Sequence, residues 1–568
     1  MKPSTLTYGV DDIPPLSALA TLGLQQLLMG AAGWVMMATA LAAFSTSAGD
    51  TQSILRMSMI VTGLGAILQA NRRGPIGSGY LCPPIVAPAF FSTAIFAGGG
   101  YGLPTLFGMT TVAGAMEVAL ARLLPRIRVL FPPEVIGVVM TMVGVAVMPA
   151  GFPRLLADPA TLSAGADQAS NVAVGLVTLA TMIGCTAWGR GLVKLFPLLI
   201  GICAGVAAAL ALGCIPPSAV QSVVDQPWFS WPHRAVSSIA FEWSLLLPFT
   251  VACMATSLKN IGDLTLCQKI NDSDWKRTDM ASVSRGATAQ GIGNIVAGLL
   301  GTVSHNTSSS NIGLAIASGA TSRSIAYSFG LLMVFCAFLP KVATTITALP
   351  PPITGAAVVY CCCFMMLAGI QLLTSRLLDT RRILMAGCAL AFGLSAGLMP
   401  HLYVNAPHVL RPILHSPVSL SAIVALVMNY VMQLGNTRRT RLTLAAGTDN
   451  YAAIRDGLLQ FGASVAARKE TITVATESLH HVMESLATGL TTGDISVDIA
   501  FDEYNLDLDV SYAGQAIELV KTRPDRDTLL NDPTGIAKLS GWLLGQRAER
   551  VRVRTDGDRC HLLLRLAN

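Results

Sequence analysis

Along residues 16–435, long apolar runs alternate with short polar or proline-rich breaks. A helix needs about 20 apolar residues to cross the hydrocarbon layer. The runs predict helices at 16–43, 52–70, 104–124, 132–150, 172–189, 195–214, 243–260, 286–303, 324–346, 353–373, 383–400 and 417–435. Two further segments, 86–99 and 310–321, are apolar but short. They follow Cys82-Pro83-Pro84 and His305-Asn306-Thr307-Ser308-Ser309, stretches too polar or proline-rich for helix interior. Read as half-helices, they bring the total to 14 segments. Beyond residue 437 the pattern changes. Alternation at Thr471–Thr476, Ile495–Phe501, Leu506–Ser511, Val551–Arg554 and Cys560–Leu566 predicts strands, and 450–466, 477–489 and 533–548 read as helices.

Charge sharpens the division. The 131 residues from 438 to 568 hold 34 of the 70 Asp, Glu, Lys and Arg, and the 437 before them hold 36. The first part therefore reads as polytopic membrane protein and the second as a soluble domain, with 1–437 and 438–568 as the two domains. Loop cations follow the positive-inside pattern. With a cytoplasmic N-terminus, even loops carry Arg72 and Arg73; Arg122, Arg126 and Arg128; Arg190 and Lys194; Lys269, Lys276, Arg277 and Arg285; Arg323; and Arg376, Arg381 and Arg382. Arg438, Arg439 and Arg441 follow the last segment, and odd loops hold only Arg56, Arg154, Arg234, Lys341 and Arg411. Dropping either half-helix would invert every later loop. The count of 14 and cytoplasmic placement of both termini follow from this alternation, as does the +6 net charge, which does not point to nucleic acid.

The short segments are third and tenth, matching positions in a seven-plus-seven arrangement. Interrupted segments so placed point to a binding site near the bilayer midplane between inverted repeats. Each half-helix N-terminus offers unpaired N–H groups and a partial positive charge. The polar Met1–Pro15 stretch and the long run behind it argue against a cleavable signal peptide. Eleven of the 12 cysteines, all but Cys560, lie in the membrane part, with spacings that suit neither disulfides nor zinc. No metal or cofactor is expected.

Several local motifs fall on this layout in order. They are Tyr8-Gly9-Val10-Asp11-Asp12-Ile13-Pro14-Pro15, Gln25-Gln26, Gly77-Ser78-Gly79-Tyr80, Phe131-Pro132-Pro133-Glu134-Val135-Ile136-Gly137, Ile261-Gly262-Asp263, and Ser310-Asn311-Ile312-Gly313 running through Ser318 to Arg323. Together they resemble the nucleobase–ascorbate transporter family, the xanthine/uracil permeases, over about residues 5–435. The resemblance implies an all-α membrane protein. Segments 1–4 and 8–11 would form a mobile core, and segments 5–7 and 12–14 a gate. The core slides against the gate like an elevator. Solute binds between the half-helices, coupled in many members to H+, and the protein is commonly a homodimer in the cell (inner) membrane.

The departures fall where the family touches its solute. Its eighth-segment glutamate falls on Lys259, its tenth-segment Gln or Glu on Ser310, its tenth-segment Thr on Ser318, and its first-helix His on Gln26. Asn311, Gly313, Asp263 and Arg323 are retained. By this correspondence the candidate substrate contacts are Gln25, Gln26, Pro88, Ala89, Phe90, Lys259, Ser309, Ser310, Asn311 and Ser318, with Asp263 as the coupling residue. Lysine donates and cannot accept. Replacing an acceptor by it leaves a base N–H unpaired, at a cost of about 1–3 kcal/mol. An ammonium beside two positive helix ends favours an anionic or acceptor-rich solute, such as xanthine or urate as the monoanion, or a small carboxylate. Three readings of Lys259 stay open: a site cation, a locked pair with Asp263 one turn on, or a side chain snorkelling to the interface. Gln25 and Gln26 are either ligand contacts or helix–helix glue. Asp11 and Asp12 read as caps of the first helix, His305 as a loop residue, and Glu134 and Glu242 as interfacial.

The order of elements in the soluble tail resembles the histidine-kinase-type ATP-binding fold. Ala475–Glu484 lies where that fold has its magnesium-binding helix, and Ser511-Tyr512-Ala513-Gly514-Gln515 where it has Asp-x-Gly-x-Gly. The aspartate, the second glycine and the helix asparagine are absent. The tail is therefore expected to be a degenerate α/β regulatory module; a sulfate-transporter-type regulatory domain fits its strand-rich centre less well. Two alternatives to nucleobase transport remain: a solute sensor signalling through the tail, and a carrier of non-purine organic anions. A channel would need a ring of pore charges that the sequence lacks.

Overall fold

The computed structural model describes the chain apart from residues 1–2, 4–5, 43–46, 128–132, 160–166, 192, 194–195, 274–277, 375–379, 408–409, 411–413, 415, 434–437, 445–449, 466, 468, 488–493, 502–504, 518, 520–522, 525–534, 557–558 and 568. Arg128, Lys194, Lys276, Arg277, Arg376, Arg411 and the Phe131-Pro132 motif lie outside the described residues. The chain divides into two compact units, Met1–Leu373 with Met385–Val427 and Thr374–Leu384 with Met428–Asn568.

The first unit is helical, with one two-stranded ribbon. Its first half runs α1 (Leu16–Ala42), α2 (Ala48–Ala70), β1 (Pro84–Val86), α3 (Phe91–Tyr101), α4 (Leu103–Ile127), α5 (Pro133–Leu155), α6 (Gln168–Trp188), α7 (Pro197–Ala211) and α8 (Pro217–Val224). Its second half runs α9 (Leu246–Asn271), α10 (Met280–Leu300), β2 (His305–Thr307), α11 (Ser309–Ala317), α12 (Arg323–Ala337), α13 (Pro340–Thr347), α14 (Pro351–Leu373), α15 (Thr380–Leu398) and α16 (Pro417–Gln433). Eight of the described helices are long and apolar enough to cross a membrane, or nine if α12 and α13 form one broken span. The unbroken helix expected over 324–346 is in fact this pair, bent by 80°. Pro340 opens α13 and holds Leu339 at φ −102°, ψ 89°, outside helical space, because proline disfavours the α conformation in the residue before it.

Three helix crossings are set by facing glycines. A Cβ on Gly63 of α2 would lie 2.5 Å from the Gly330 carbonyl oxygen of α12, and one on Gly330 would lie 2.7 Å from the Gly63 oxygen. Gly114 and Gly291 pair α4 with α10 in the same way, at 2.7 and 2.9 Å, and Gly137 and Gly369 pair α5 with α14, both at 2.7 Å. Small residues let backbones approach where lipid offers no hydrophobic drive.

Several polar residues lie elsewhere than their sequence context suggested. Arg56, counted above as a loop cation, is 2% exposed inside α2. Its Nε donates to the Ala337 carbonyl at 2.7 Å, and a terminal nitrogen donates to that of Ser230 at 2.5 Å. Asp11 does not cap α1. It pairs with Arg323 at 2.5 Å, while Asp12 accepts from the Gly9 N–H at 2.8 Å. Glu134 lies in the first turn of α5, at the end of its span, and is 2% exposed.

The second unit contains β3 (Arg438–Leu444), α17 (Tyr451–Val465), α18 (Lys469–Ala487), β4 (Ile495–Phe501), β5 (Asn505–Ala513), α19 (Gly535–Arg547), β6 (Arg550–Asp556) and β7 (Arg559–Ala567). Its five strands form an antiparallel sheet in the order β3-β4-β5-β7-β6. Alternate residues of β4 and β5 are buried, as the period of two requires. Thr471–Thr476, read above as a strand, belongs to α18. Ile472, Ala475, Leu479, Val482, Met483 and Leu486 are all buried. That helical spacing over four turns outweighs a six-residue alternation.

Gly63→Val should force α2 and α12 apart and lower stability by about 1–3 kcal/mol. Gly387→Ala in α15, with no heavy atom within 4 Å of its added Cβ, should change stability by less than about 0.5 kcal/mol. Thermal unfolding of the purified full chain in detergent checks both.

Candidate functional site

Backbone geometry places the site first. β1 and β2 pair antiparallel, with Pro84 opposite Thr307, Ile85 opposite Asn306 and Val86 opposite His305. The pairing extends one step each way, through Ala87 N–H to Ser304 oxygen at 2.9 Å and Ser308 N–H to Pro83 oxygen at 2.9 Å. Each strand runs directly into a short helix. After β1 the turn Pro88–Phe90 leads into α3, and after β2 Ser308 caps α11, its Oγ accepting from the Asn311 N–H at 3.2 Å. Because the pairing is antiparallel, the two half-helices leave from opposite ends of the same ribbon.

α9 passes beside this crossing and supplies the charged groups. Lys259 Nζ donates to Asp263 Oδ2 at 2.8 Å and to the Thr307 carbonyl at 2.5 Å. Thr307 Oγ1 donates to Asp263 Oδ2 and Ser309 Oγ to Asp263 Oδ1, both at 2.6 Å. The carboxylate is thus held by a cation and two hydroxyls, one from the end of β2 and one from the start of α11. The Lys259 side chain is 25% exposed and that of Asp263 8%. Of the three readings of Lys259, the structure has the ion pair, with the ammonium turned inward to Thr307. Ser310 is exposed, and a Cβ added at Gly262 or at Gly313 meets nothing within 4 Å. Lys259, Gly262, Ser310 and Gly313 therefore border open space.

Gln26 and Asn311 lock α1 to α11. Asn311 Nδ2 donates to the Gln26 side-chain oxygen at 2.7 Å and to its carbonyl at 2.9 Å, and Gln26 Nε2 returns a bond to the Asn311 carbonyl at 3.2 Å. Gln26 acts here as glue between helices. Gln25, one residue earlier, is half-buried. Ala89 is buried against Val139 and Val143 of α5, Val251 and Ala255 of α9, and Val418 and Ala422 of α16. Phe90 faces Phe249 with ring centres 5.8 Å apart, and Pro88 is half-buried at the turn. Ser318 is not brought to this group. It caps the far end of α11, its Oγ donating to Ala315, about 13 Å along the axis from Ser309 at 1.5 Å per residue.

The permease family sequence profile matches residues 17–402, more than half of the chain. The chain belongs to this permease family. The permease is 28% identical to the xanthine permease XanP of Escherichia coli over 440 residues, covering 75% of this chain and 95% of that one. It is 25% identical to the uric acid permease PucJ of Bacillus subtilis, covering 73% of this chain and 92% of that one. Among solved structures it is similar to the transmembrane domain of the cyanobacterial bicarbonate transporter BicA, with 15% identity, 72% of this chain and 97% of that one covered, and a TM-score of 0.42. It is a multi-pass membrane protein that carries a small-molecule solute.

Sequence reasoning missed a set of buried polar side chains in the permease. Glu117 of α4, Thr256 of α9, Asn294 of α10 and His305 of β2 are each at most 2% exposed. His305, read above as a loop residue, bonds through Nε2 to Ser58 Oγ at 2.8 Å. The signal was available in Glu117, a carboxylate inside an apolar run, since such residues rarely lack a role at membrane depth. Among the described residues no cluster of His, Cys, Asp or Glu could hold a metal.

A double-mutant cycle checks the ion pair. Lys259→Met and Asp263→Asn should each destabilise the protein, and together by less than their sum. A coupling of about 1–3 kcal/mol is expected, read from thermal midpoints.

Proposed function

We propose that the permease is a proton-coupled, elevator-type secondary transporter of xanthine, urate or a similar small anion, bound where β1 and β2 deliver the two half-helices. The observation that carries this reading is Lys259. It stands where the family has a glutamate, and its ammonium reaches the Thr307 carbonyl at the very start of α11. The names of the relatives, xanthine and uric acid permeases, support the solute class.

The chemistry follows from charge. Lys259 and Asp263 cancel while paired. A solute anion offered to the ammonium from the open side, bordered by Ser310 and Gly313, competes with Asp263. A displaced Asp263 keeps its two hydroxyl donors and gains reason to take up a proton, which would couple solute to H+. Pro88, Ala89 and Phe90 contribute shape, and Ala89 a half-helix N–H group, since Pro88 has none and that of Phe90 donates to the Ala87 carbonyl at 3.1 Å. Gln25 lies within one residue of the Gln26–Asn311 lock and contributes an amide to the solute. Ser318, at the far end of α11, is not assigned a solute contact.

The same reading takes residues 1–437 as 14 segments in two inverted repeats of seven. The reciprocal glycine crossings support it: α2 with α12 and α4 with α10 exchange under that symmetry, while α5 with α14 is its own image. α5 and α14 fall in the gate, and the other two crossings in the core. Both termini lie in the cytoplasm, the membrane is the cell (inner) membrane, and the working form is a homodimer. Residues 438–568 act as a regulatory tail. In the histidine-kinase-type comparison, Tyr512 stands in the degenerate nucleotide segment. It is 1% exposed, and its hydroxyl accepts from the Ile517 N–H at 3.2 Å. An inward phenol leaves poor support for a magnesium–nucleotide complex.

Thermal stabilisation of the purified full chain tests the solute class, because a ligand of the folded state stabilises by about 2.7 kcal/mol at 100 times its Kd. Urate and xanthine should raise the midpoint of the wild type more than neutral uracil does. Lys259→Glu should reverse that order. If uracil stabilises the wild type best, the anion reading fails.

A further inference from the structure

Behind the solute site lies a second polar centre. Glu117 on α4 is 1% exposed, and no ion pair to it occurs among the described residues. Its Oε1 accepts from Thr256 Oγ1 at 2.7 Å and from Gln290 Nε2 at 3.1 Å, and its Oε2 accepts from Asn294 Nδ2 at 2.6 Å. The Asn294 amide is oriented by β2, since its Oδ1 takes the His305 N–H at 2.7 Å and its Nδ2 also reaches the His305 carbonyl at 3.0 Å. A carboxylate at membrane depth is costly when no cation answers it.

Thr256 resolves the difficulty. Its hydroxyl lies 2.7 Å from Glu117 and also 2.9 Å from the Cys253 carbonyl, and it has one hydrogen. When Glu117 is charged, Thr256 donates to Oε1. When Glu117 is protonated on Oε1, the acid donates to Thr256 Oγ1 and the hydroxyl hydrogen turns to Cys253. Both states are fully bonded, and they differ by one proton and one hydroxyl rotation. Beside this centre a cavity of about 20 Å³ is lined by Gln69, Gln290, His305 and Thr307, room for one water. Among the described residues, Gln69 Nε2, Gln290 Oε1 and His305 Nδ1 have no hydrogen-bond partner, and Thr307 is the residue that donates to Asp263.

We propose that Glu117 is a proton-binding site of this transporter, exchanging its proton with the solute site through the cavity between Gln290 and Thr307. This rests on the transport reading above. The proton bound at Glu117 Oε1 comes from the water side through that cavity and returns the same way. Other groups facing the carboxylate are few. They are the Cys253 thiol on α9, with Lys259 and Asp263 one and two turns beyond Thr256, paired with each other; the His305 imidazole on β2 bonds Ser58 instead. α10 presents the amides Gln290 and Asn294, with Arg285 more than a turn away, and α3 carries Tyr101 as its one ionisable side chain. On α4 itself Arg122 is five residues on. Because Asn294 grips both backbone groups of His305, the charge on Glu117 acts directly on the strand that leads into α11.

The test uses the full chain in liposomes. Infrared spectra taken across a pH titration should show a protonated-carboxyl stretch that fades as pH rises and is missing in Glu117→Gln. Thr256→Val removes the donor that favours the charged form, so the midpoint of that band should rise by about one pH unit, a tenfold gain in proton affinity. With xanthine as probe, Glu117→Gln should lose proton-driven accumulation about tenfold more than it loses counterflow exchange. A band unchanged in Glu117→Gln, or accumulation that falls no further than exchange, overturns the proposal. Should the wild type carry no xanthine or urate, the transport reading fails, and the band alone decides whether Glu117 binds a proton.

Discussion

A chain that stops being helical inside a membrane must find partners for the backbone groups it exposes, because lipid offers none. In this protein that constraint is met by six residues, Pro84–Val86 and His305–Thr307, paired as a minimal ribbon. The carbonyl groups at the ends of the ribbon have named donors. Ala87 reaches Ser304, Ser308 reaches Pro83, Asn294 reaches His305, and Lys259 reaches Thr307. The polar residues of α9 and α10 are therefore the completion of the broken segments. On the proposed reading, structural and functional roles therefore overlap at Lys259, Asp263 and Asn294.

The exchange of glutamate for lysine at position 259 is understandable in these terms. A carboxylate there would stand one turn from Asp263, two like charges on one helix face. The lysine instead neutralises Asp263 and donates to Thr307, which a carboxylate cannot do. On the proposed reading the cost falls on recognition, since a donor would then stand where the family has an acceptor. Ser309 compensates locally by holding Asp263, and Ser310 is small enough to leave the face next to Gly313 open. On the reading proposed above, Lys259 and Ser310 together suit a solute with more acceptors or more negative charge.

Eight helices were legible because their apolar runs reach the length a bilayer demands, while α7 and α16 fall short of it. The half-helices were legible because Cys82-Pro83-Pro84 and the polar run from His305 to Ser309 interrupt that rule. The break within 324–346 was not, because Leu339 and Pro340 sit in an otherwise apolar run and the effect of proline on its predecessor is local. The strand read at Thr471–Thr476 failed because β-branched residues were weighed over six positions, whereas burial in α18 repeats with the helical period from Ile472 to Leu486. At the site, Lys259 and Asp263 stood out as charges in an apolar run, and Asn311 through its place in the family motif. Glu117 obeyed the same rule and was passed over. Its partners Thr256, Gln290 and Asn294 are separated from it by 139–177 residues, and no local pattern joins them.

The central claim is that the paired strands present Lys259 to an anionic solute. An experimental structure with urate bound tests it most directly. The account predicts urate between the Pro88–Phe90 turn and the start of α11, with Lys259 Nζ bonded to the ligand and moved away from Asp263. Urate bound elsewhere, for instance in the cavity of about 590 Å³ beside Thr39 and Arg154, with the Lys259–Asp263 pair intact, would contradict it.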